Sequence, residues 1–213
     1  MAVRPASPWR VRISSILLRP SAKWVLGLWV AGPALWLLWG ALRGGLGANP
    51  AETLIRSTGD WTLRMLCVAL AVTPLRQSLR LPVLARFRRM LGLSAFAYGS
   101  LHAVCYGWLD MGFDWPELLA DVAQRSFIWA GALAWSGLCV LAATSPHAVV
   151  RALGPVRWKR VHQGVWAVAG LAVLHFVWMR AGKNLMTEAW LYGLTLAALW
   201  GWRKIQAKKG LFA

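Results

Sequence analysis

Helix-length apolar blocks, separated by short stretches rich in arginine, restrict this chain to very few folds. Six blocks are legible, at residues 24–42, 61–75, 90–109, 127–144, 161–179 and 189–202. A helix of about 20 apolar residues crosses the hydrocarbon core of a bilayer. In that medium only helices and closed barrels satisfy every backbone polar group. Of the 213 residues, 58% are hydrophobic and 15% charged, against roughly a quarter charged in a soluble domain. The pattern predicts an all-α integral membrane protein in the lipid bilayer, a six-transmembrane-helix bundle over residues 24–202. Basic tails at 1–23 and 203–213 flank it. Turn chemistry separates the blocks: Gly44-Gly45-Leu46-Gly47 with Asn49-Pro50, Thr73-Pro74, Trp115-Pro116, Ser145-Pro146 with Gly154-Pro155, and Gly182.

The net charge is +17, but its placement argues against nucleic acid, whose binders gather bases on one soluble face. Here the bases lie between apolar blocks, on alternate sides. The N-terminal tail carries Arg4, Arg10, Arg12, Arg19 and Lys23, and the stretch after the second block Arg76, Arg80, Arg86, Arg88 and Arg89. The stretch after the fourth holds Arg151, Arg157, Lys159 and Arg160, and the C-terminal tail Arg203, Lys204, Lys208 and Lys209. The intervening stretches hold only Arg43, Arg56, Arg125, Arg180 and Lys183. The positive-inside rule then places both termini in the cytosol. The apolar run at 13–18 is too short for a secretory signal and no small-residue cleavage site follows, so a cytosolic tail is expected. Cys67, Cys105 and Cys139 form no CxxC or CxxCH pair, which excludes covalent haem attachment and a zinc ribbon. They are expected to be small buried apolar residues. Many of the 16 Trp, among them Trp24, Trp61, Trp108, Trp115, Trp158, Trp190 and Trp202, lie near block ends, as in an interfacial aromatic belt.

Ionisable side chains at membrane depth are expensive and mark function. His102 lies 12 residues into the third block, about 18 Å from its cytosolic start. His175 comes 13 residues after His162, about 20 Å further out along the fifth block. His102 and His175 therefore sit at similar depth on different helices, where two imidazoles can hold one haem b from both sides. His162 lies at the cytosolic mouth, about 140° around a straight helix from His175. It shares a face with His175 only if the helix bends, at Gly164 or Gly170, or if His162 precedes the regular part of that helix. Spacing leaves it open between ligand of a second haem and interfacial histidine. His147 follows Ser145-Pro146 and reads as a solvated loop residue.

Thr58-Gly59-Asp60-Trp61, Thr73-Pro74-Leu75-Arg76 and Phe87-Arg88-Arg89-Met90-Leu91-Gly92-Leu93 are similar to segments of one family. So are Tyr98, His102 and Tyr106, then Thr144-Ser145, Trp158 through His162, and His175 with Trp178. Across about residues 55–180 the chain resembles the MsrQ (formerly YedZ) family, haem-binding membrane subunits of the periplasmic methionine sulfoxide reductase system. The resemblance implies a ferric-reductase-like transmembrane fold in the bacterial inner membrane, with b-type haem (one or two) and FMN. It implies His102, His162 and His175 as haem iron ligands. Arg89 stands where a fourth histidine would fall. A protonated guanidinium has no free lone pair, so Arg88 or Arg89 is expected to pair a haem propionate or flavin phosphate.

The implied task is an electron wire without substrate chemistry of its own. A cytosolic flavin reductase or membrane quinol loads it, and an MsrP-like periplasmic molybdenum-cofactor subunit unloads it to repair oxidised envelope proteins. The eleven residues after Trp202 hold no nucleotide-binding domain, so NAD(P)H oxidation is expected of another protein. The acids between Asp110 and Asp121 are either a docking patch for the outer partner or a solvated loop. The rivals are a stand-alone ferric or quinone reductase-like cytochrome b and a non-redox small membrane transporter.

Overall fold

A computed structural model describes residues 7–181 and 186–209, all of whose regular structure is helical. Helices α1 (Pro8–Leu18), α2 (Pro20–Leu42) and α3 (Pro50–Ser78) precede a 3₁₀ segment at Pro82–Phe87. Then come α4 (Arg88–Cys105), which ends in a π-helical turn at Tyr106–Asp110, α5 (Trp115–Gln124) and α6 (Ser126–Ala143). The chain closes with α7 (His147–Gln163), α8 (Val165–Ala181) and α9 (Thr187–Lys208). The core lies where α3, α4, α6 and α8 meet, around Met65, Leu66, Ala95, Tyr98, Leu138 and Val168.

Several elements differ from the sequence expectation for identifiable reasons. The first tail contains a helix, α1, tied to the 3₁₀ segment by Arg86 Nη1 donating to Leu17 O at 2.8 Å. Helix α3 begins at Pro50 rather than near residue 61 because Asn49 caps it, its Oδ1 accepting from Glu52 N at 3.1 Å. Glu52, Arg56, Asp60 and Arg64 conceal that first half from any hydropathy scan, although Thr58 and Met65 are fully buried. Pro74 does not end α3. The chain turns later, at Arg80, whose φ is +53°. The Ser145-Pro146 break is present, and Gly154 interrupts α7 with φ +71° ahead of Pro155. The expected break at Gly182 lies outside the described residues. The acidic stretch carries α5, capped by Asp114 and amphipathic with Trp115 and Leu119 exposed.

Three described helical stretches are long and apolar enough to cross a membrane: Pro20–Leu42, Ser126–Ala143 and the run His147–Ala181. Their exposed residues include Trp24, Leu28, Trp36, Leu133 and Trp178, an apolar surface suited to lipid. The other expected spans fall on α3, α4 and α9. Helix α3 packs against protein on several sides, so its charges do not need to meet lipid. The Trp set divides: Trp24, Trp108, Trp115 and Trp190 are exposed, while Trp61 and Trp158 are half-buried and stack on Tyr98 and His162. All three cysteines are free, and of them Cys105 is buried.

Tyr98 joins α4 to α2 in an unusual way. Its hydroxyl donates to Val30 O at 2.6 Å and accepts from Ala34 N at 3.2 Å. It thus stands inside the i to i+4 ladder of α2 beside Pro33, where an inserted group bends a helix. Tyr98→Phe is expected to destabilise the bundle by about 1 kcal/mol. The loss is modest because α2 recloses part of its own ladder. It would be read as a lower unfolding temperature in detergent.

Candidate functional site

The third-block and fifth-block histidines meet in the bundle. His102 on α4 and His175 on α8 have ring centroids 6.1 Å apart and planes at 74°. Each ring is anchored to a backbone carbonyl of the preceding core helix. His102 Nδ1 lies 2.8 Å from Ile55 O on α3, and His175 Nδ1 lies 2.7 Å from Phe127 O on α6. A carbonyl only accepts, so both rings carry their proton on Nδ1, which leaves the Nε2 lone pair free. Among the described residues neither Nε2 makes a hydrogen bond. Phe127 also packs on the His175 ring, with centroids 5.9 Å apart.

A metal-binding histidine is oriented and made more basic by donating its other N–H to a carbonyl. Two imidazoles on opposite faces of one iron, each nitrogen about 2 Å from the metal, place their ring centres about 6 Å apart. The observed separation fits that arrangement. Among the described residues no group of three or more His, Cys, Asp or Glu is placed to hold a bare ion. Two facing imidazoles suit haem iron, whose porphyrin supplies the other four nitrogens.

His162 is built differently. Its ring stacks on Trp158, centroids 4.2 Å apart, and its Nε2 lies 3.2 Å from Thr144 Oγ1. The Thr144 hydroxyl lies 2.7 Å from Val140 O, its i−4 carbonyl, which takes the single hydroxyl proton. Thr144 Oγ1 therefore accepts from Nε2–H, and the free lone pair of His162 is on Nδ1. Trp158 Nε1 donates to Thr144 O at 3.1 Å and holds the stack in place. His162 faces a cavity also lined by Arg76, Arg88, Lys159, Arg203 and Trp158. No acid appears in that lining among the described residues. Four cations around one aromatic-walled cavity form a receptor for an anionic group. Arg89 does not line it, and His147 is an exposed residue at the start of α7.

The model of the family described as "Ferric reductase like transmembrane component" matches residues 58–173, which include His102 and His162 and end two residues before His175. The chain is 50% identical over 195 residues to a Polaromonas naphthalenivorans protein named "Protein-methionine-sulfoxide reductase heme-binding subunit MsrQ". That match covers 92% of this chain and 89% of the relative. Relatives with the same name come from Bordetella pertussis, 48% identical over 83% of this chain and 86% of theirs, and Caulobacter vibrioides, 40% identical over 87% and 89%. The chain belongs to the MsrQ family. No solved structure matches it significantly.

Within this MsrQ-family fold, side chains and carbonyls that composition did not single out build the site. Ile55 O and Phe127 O are backbone acceptors and leave no mark on residue type. Gly59 and Gly131 lie directly against the two rings: a Cβ on Gly59 would come 3.1 Å from His102 Nδ1, and one on Gly131 would come 2.8 Å from His175 Nδ1. Thr144 and Trp158 stood in the quoted motifs, but nothing there assigned them to His162. In the acidic stretch, Asp121 is tied inward to Tyr106 OH and to Arg125 Nε. Asp110, Asp114 and Glu117 remain exposed.

Proposed function

We propose that this protein carries electrons across the bacterial inner membrane through b-type haem, delivering them to a periplasmic molybdenum-cofactor methionine sulfoxide reductase of the MsrP kind. In this reading six spans cross the bilayer with both termini in the cytosol, α2, α3, α4, α6, α8 and α9 supplying them. The observation that carries it is the His102–His175 pair, two Nδ1-anchored imidazoles 6.1 Å apart on different helices. A haem bound there supplies one-electron transfer. Held by His102 and His175, such a haem would serve electron transfer rather than oxygen chemistry.

The residues divide the work by depth. Ile55 O and Phe127 O hold the two Nδ1 protons and aim the ligand nitrogens towards the shared centre. The cavity beside His162 receives the anionic end of the electron donor's cofactor. A flavin phosphate and the propionates of a second haem share that chemistry, and Arg76, Arg88 and Lys159 suit either. The outer acids Asp110, Asp114 and Glu117 are placed to steer a basic partner patch.

Vesicles with a reductant enclosed on the cytosolic side test the wire. An impermeant oxidant outside is expected to be reduced, and methionine sulfoxide to be reduced only when the molybdenum-cofactor partner is added. Outward transfer that survives loss of His102 would contradict the reading. So would methionine sulfoxide reduction by this chain alone. A separate expectation concerns the cavity: Arg88→Gln lowers flavin or second-haem content by roughly 10-fold, the scale of losing one charge-assisted bond of about 1.5 kcal/mol. Cofactor analysis of purified protein checks it, and the outer haem is expected to be unchanged.

A further inference from the structure

We propose that Gly59 and Gly131 are positioning residues for the two ligand histidines. Each keeps open the one carbonyl that its histidine needs. The inference rests on the haem reading above and concerns how the ligand nitrogens are aimed.

In an α-helix every Cα–Cβ bond tilts towards the N-terminus, so the side chain at position i covers the carbonyl at i−4. Ile55 is four residues before Gly59, and Phe127 is four before Gly131. The two carbonyls that accept from His102 and His175 are therefore the ones a side chain at 59 or 131 would screen. The distances bear this out. A Cβ at 59 would come 3.1 Å from Nδ1 and 3.2 Å from Cε1 of His102. At 131 it would come 2.8 Å from Nδ1 and 2.9 Å from Cε1 of His175. Real Cβ atoms are essentially never found under 3.0 Å, so the His175 ring would have to move. Neither ring is a freely swinging tip, because each is held at its Nδ1.

The same construction occurs twice, once between α3 and α4 and once between α6 and α8. Bare packing does not explain why the glycine falls four residues after the accepting carbonyl both times. A ring pushed off its carbonyl loses the bond that fixes its tautomer and raises the donor strength of Nε2. Other glycines on the ligand helices lack this relation: a Cβ on Gly92 of α4 or Gly170 of α8 would meet nothing within 4 Å.

The test uses the full-length protein carrying Gly59→Ala, Gly131→Ala, Gly92→Ala or Gly170→Ala. Three quantities are compared with the parent: haem per chain, the low-spin electron paramagnetic resonance g values, and the haem midpoint potential. Gly131→Ala is expected to lower haem affinity by about 10-fold or more, the usual scale for losing a partner of a metal ligand. Gly59→Ala, with the looser contact, is expected to keep haem with shifted g values and potential. Gly92→Ala and Gly170→Ala are expected to match the parent. Gly59→Ala and Gly131→Ala both matching the parent in all three quantities would overturn the proposal. If Gly131→Ala does not purify as a single species, Gly59→Ala decides by the same criteria. A parent protein without haem would instead sink the functional reading.

Discussion

His102→Ala and His175→Ala are each expected to empty the outer haem site. Removing a partner of a metal ligand commonly costs 10- to 100-fold in affinity, and removing the ligand itself exceeds about 100-fold. The two losses are expected to be equal in kind, because each ring is presented in the same way, Nδ1 on a carbonyl and Nε2 free. The double variant therefore adds little to either single one. His147→Ala is expected to leave the spectrum unchanged, since His147 is exposed at the start of α7. His162→Ala is expected to spare the outer haem and to change only what occupies the cytosolic cavity. Haem per chain, measured as the pyridine complex, reads all five variants. Full haem in His102→Ala would break the pair assignment.

The second large effect is on stability. Arg180, near the end of α8, is 4% exposed, and its Nη2 lies 3.1 Å from Glu188 and 4.0 Å from Asp60. It also lies over the Phe176 ring, 5.1 Å from the centroid. Arg180→Met keeps most of the side-chain volume and removes the cation. Asp60, whose side chain is only 17% exposed, is then left in the protein interior without its nearest counter-charge on α8. Glu188 is half exposed and rehydrates. Breaking a buried pair from one side costs about 3–5 kcal/mol, and the exposure of Glu188 puts this case near the lower end. The unfolding temperature in detergent is expected to drop accordingly. The double variant Arg180→Met/Asp60→Asn is expected to recover most of the loss, because no buried charge is left unpaired. If the double variant is as unstable as the single one, Arg180 contributes by packing rather than by charge.

How much of this was legible in the chain depended on what each residue's type reveals. His102 and His175 stand out because an ionisable side chain in an apolar helix is costly, and helix rise alone puts them at one depth. Their carbonyl anchors could not be read, since Ile55 and Phe127 act through backbone atoms. Gly131 looks like any small residue in an apolar helix until the imidazole is seen lying against it. Hydropathy alone truncates α3 because Glu52, Arg56, Asp60 and Arg64 interrupt its first half, although Thr58 in that half is fully buried. The acidic stretch reads as a loop because it is short and charged. Asp114 caps it into α5, and Asp121 is spent on Tyr106 and Arg125. For His162, spacing left two roles open. The Thr144 and Trp158 contacts add that its free lone pair is on Nδ1, unlike the outer pair.

The most direct measurement is a reduced-minus-oxidised visible spectrum of the detergent-purified protein, expressed with ample haem, together with haem counted per chain. A b-type spectrum with at least one haem per chain is the predicted result. A colourless protein under those conditions would contradict it, and the two histidines would then serve the fold rather than an iron.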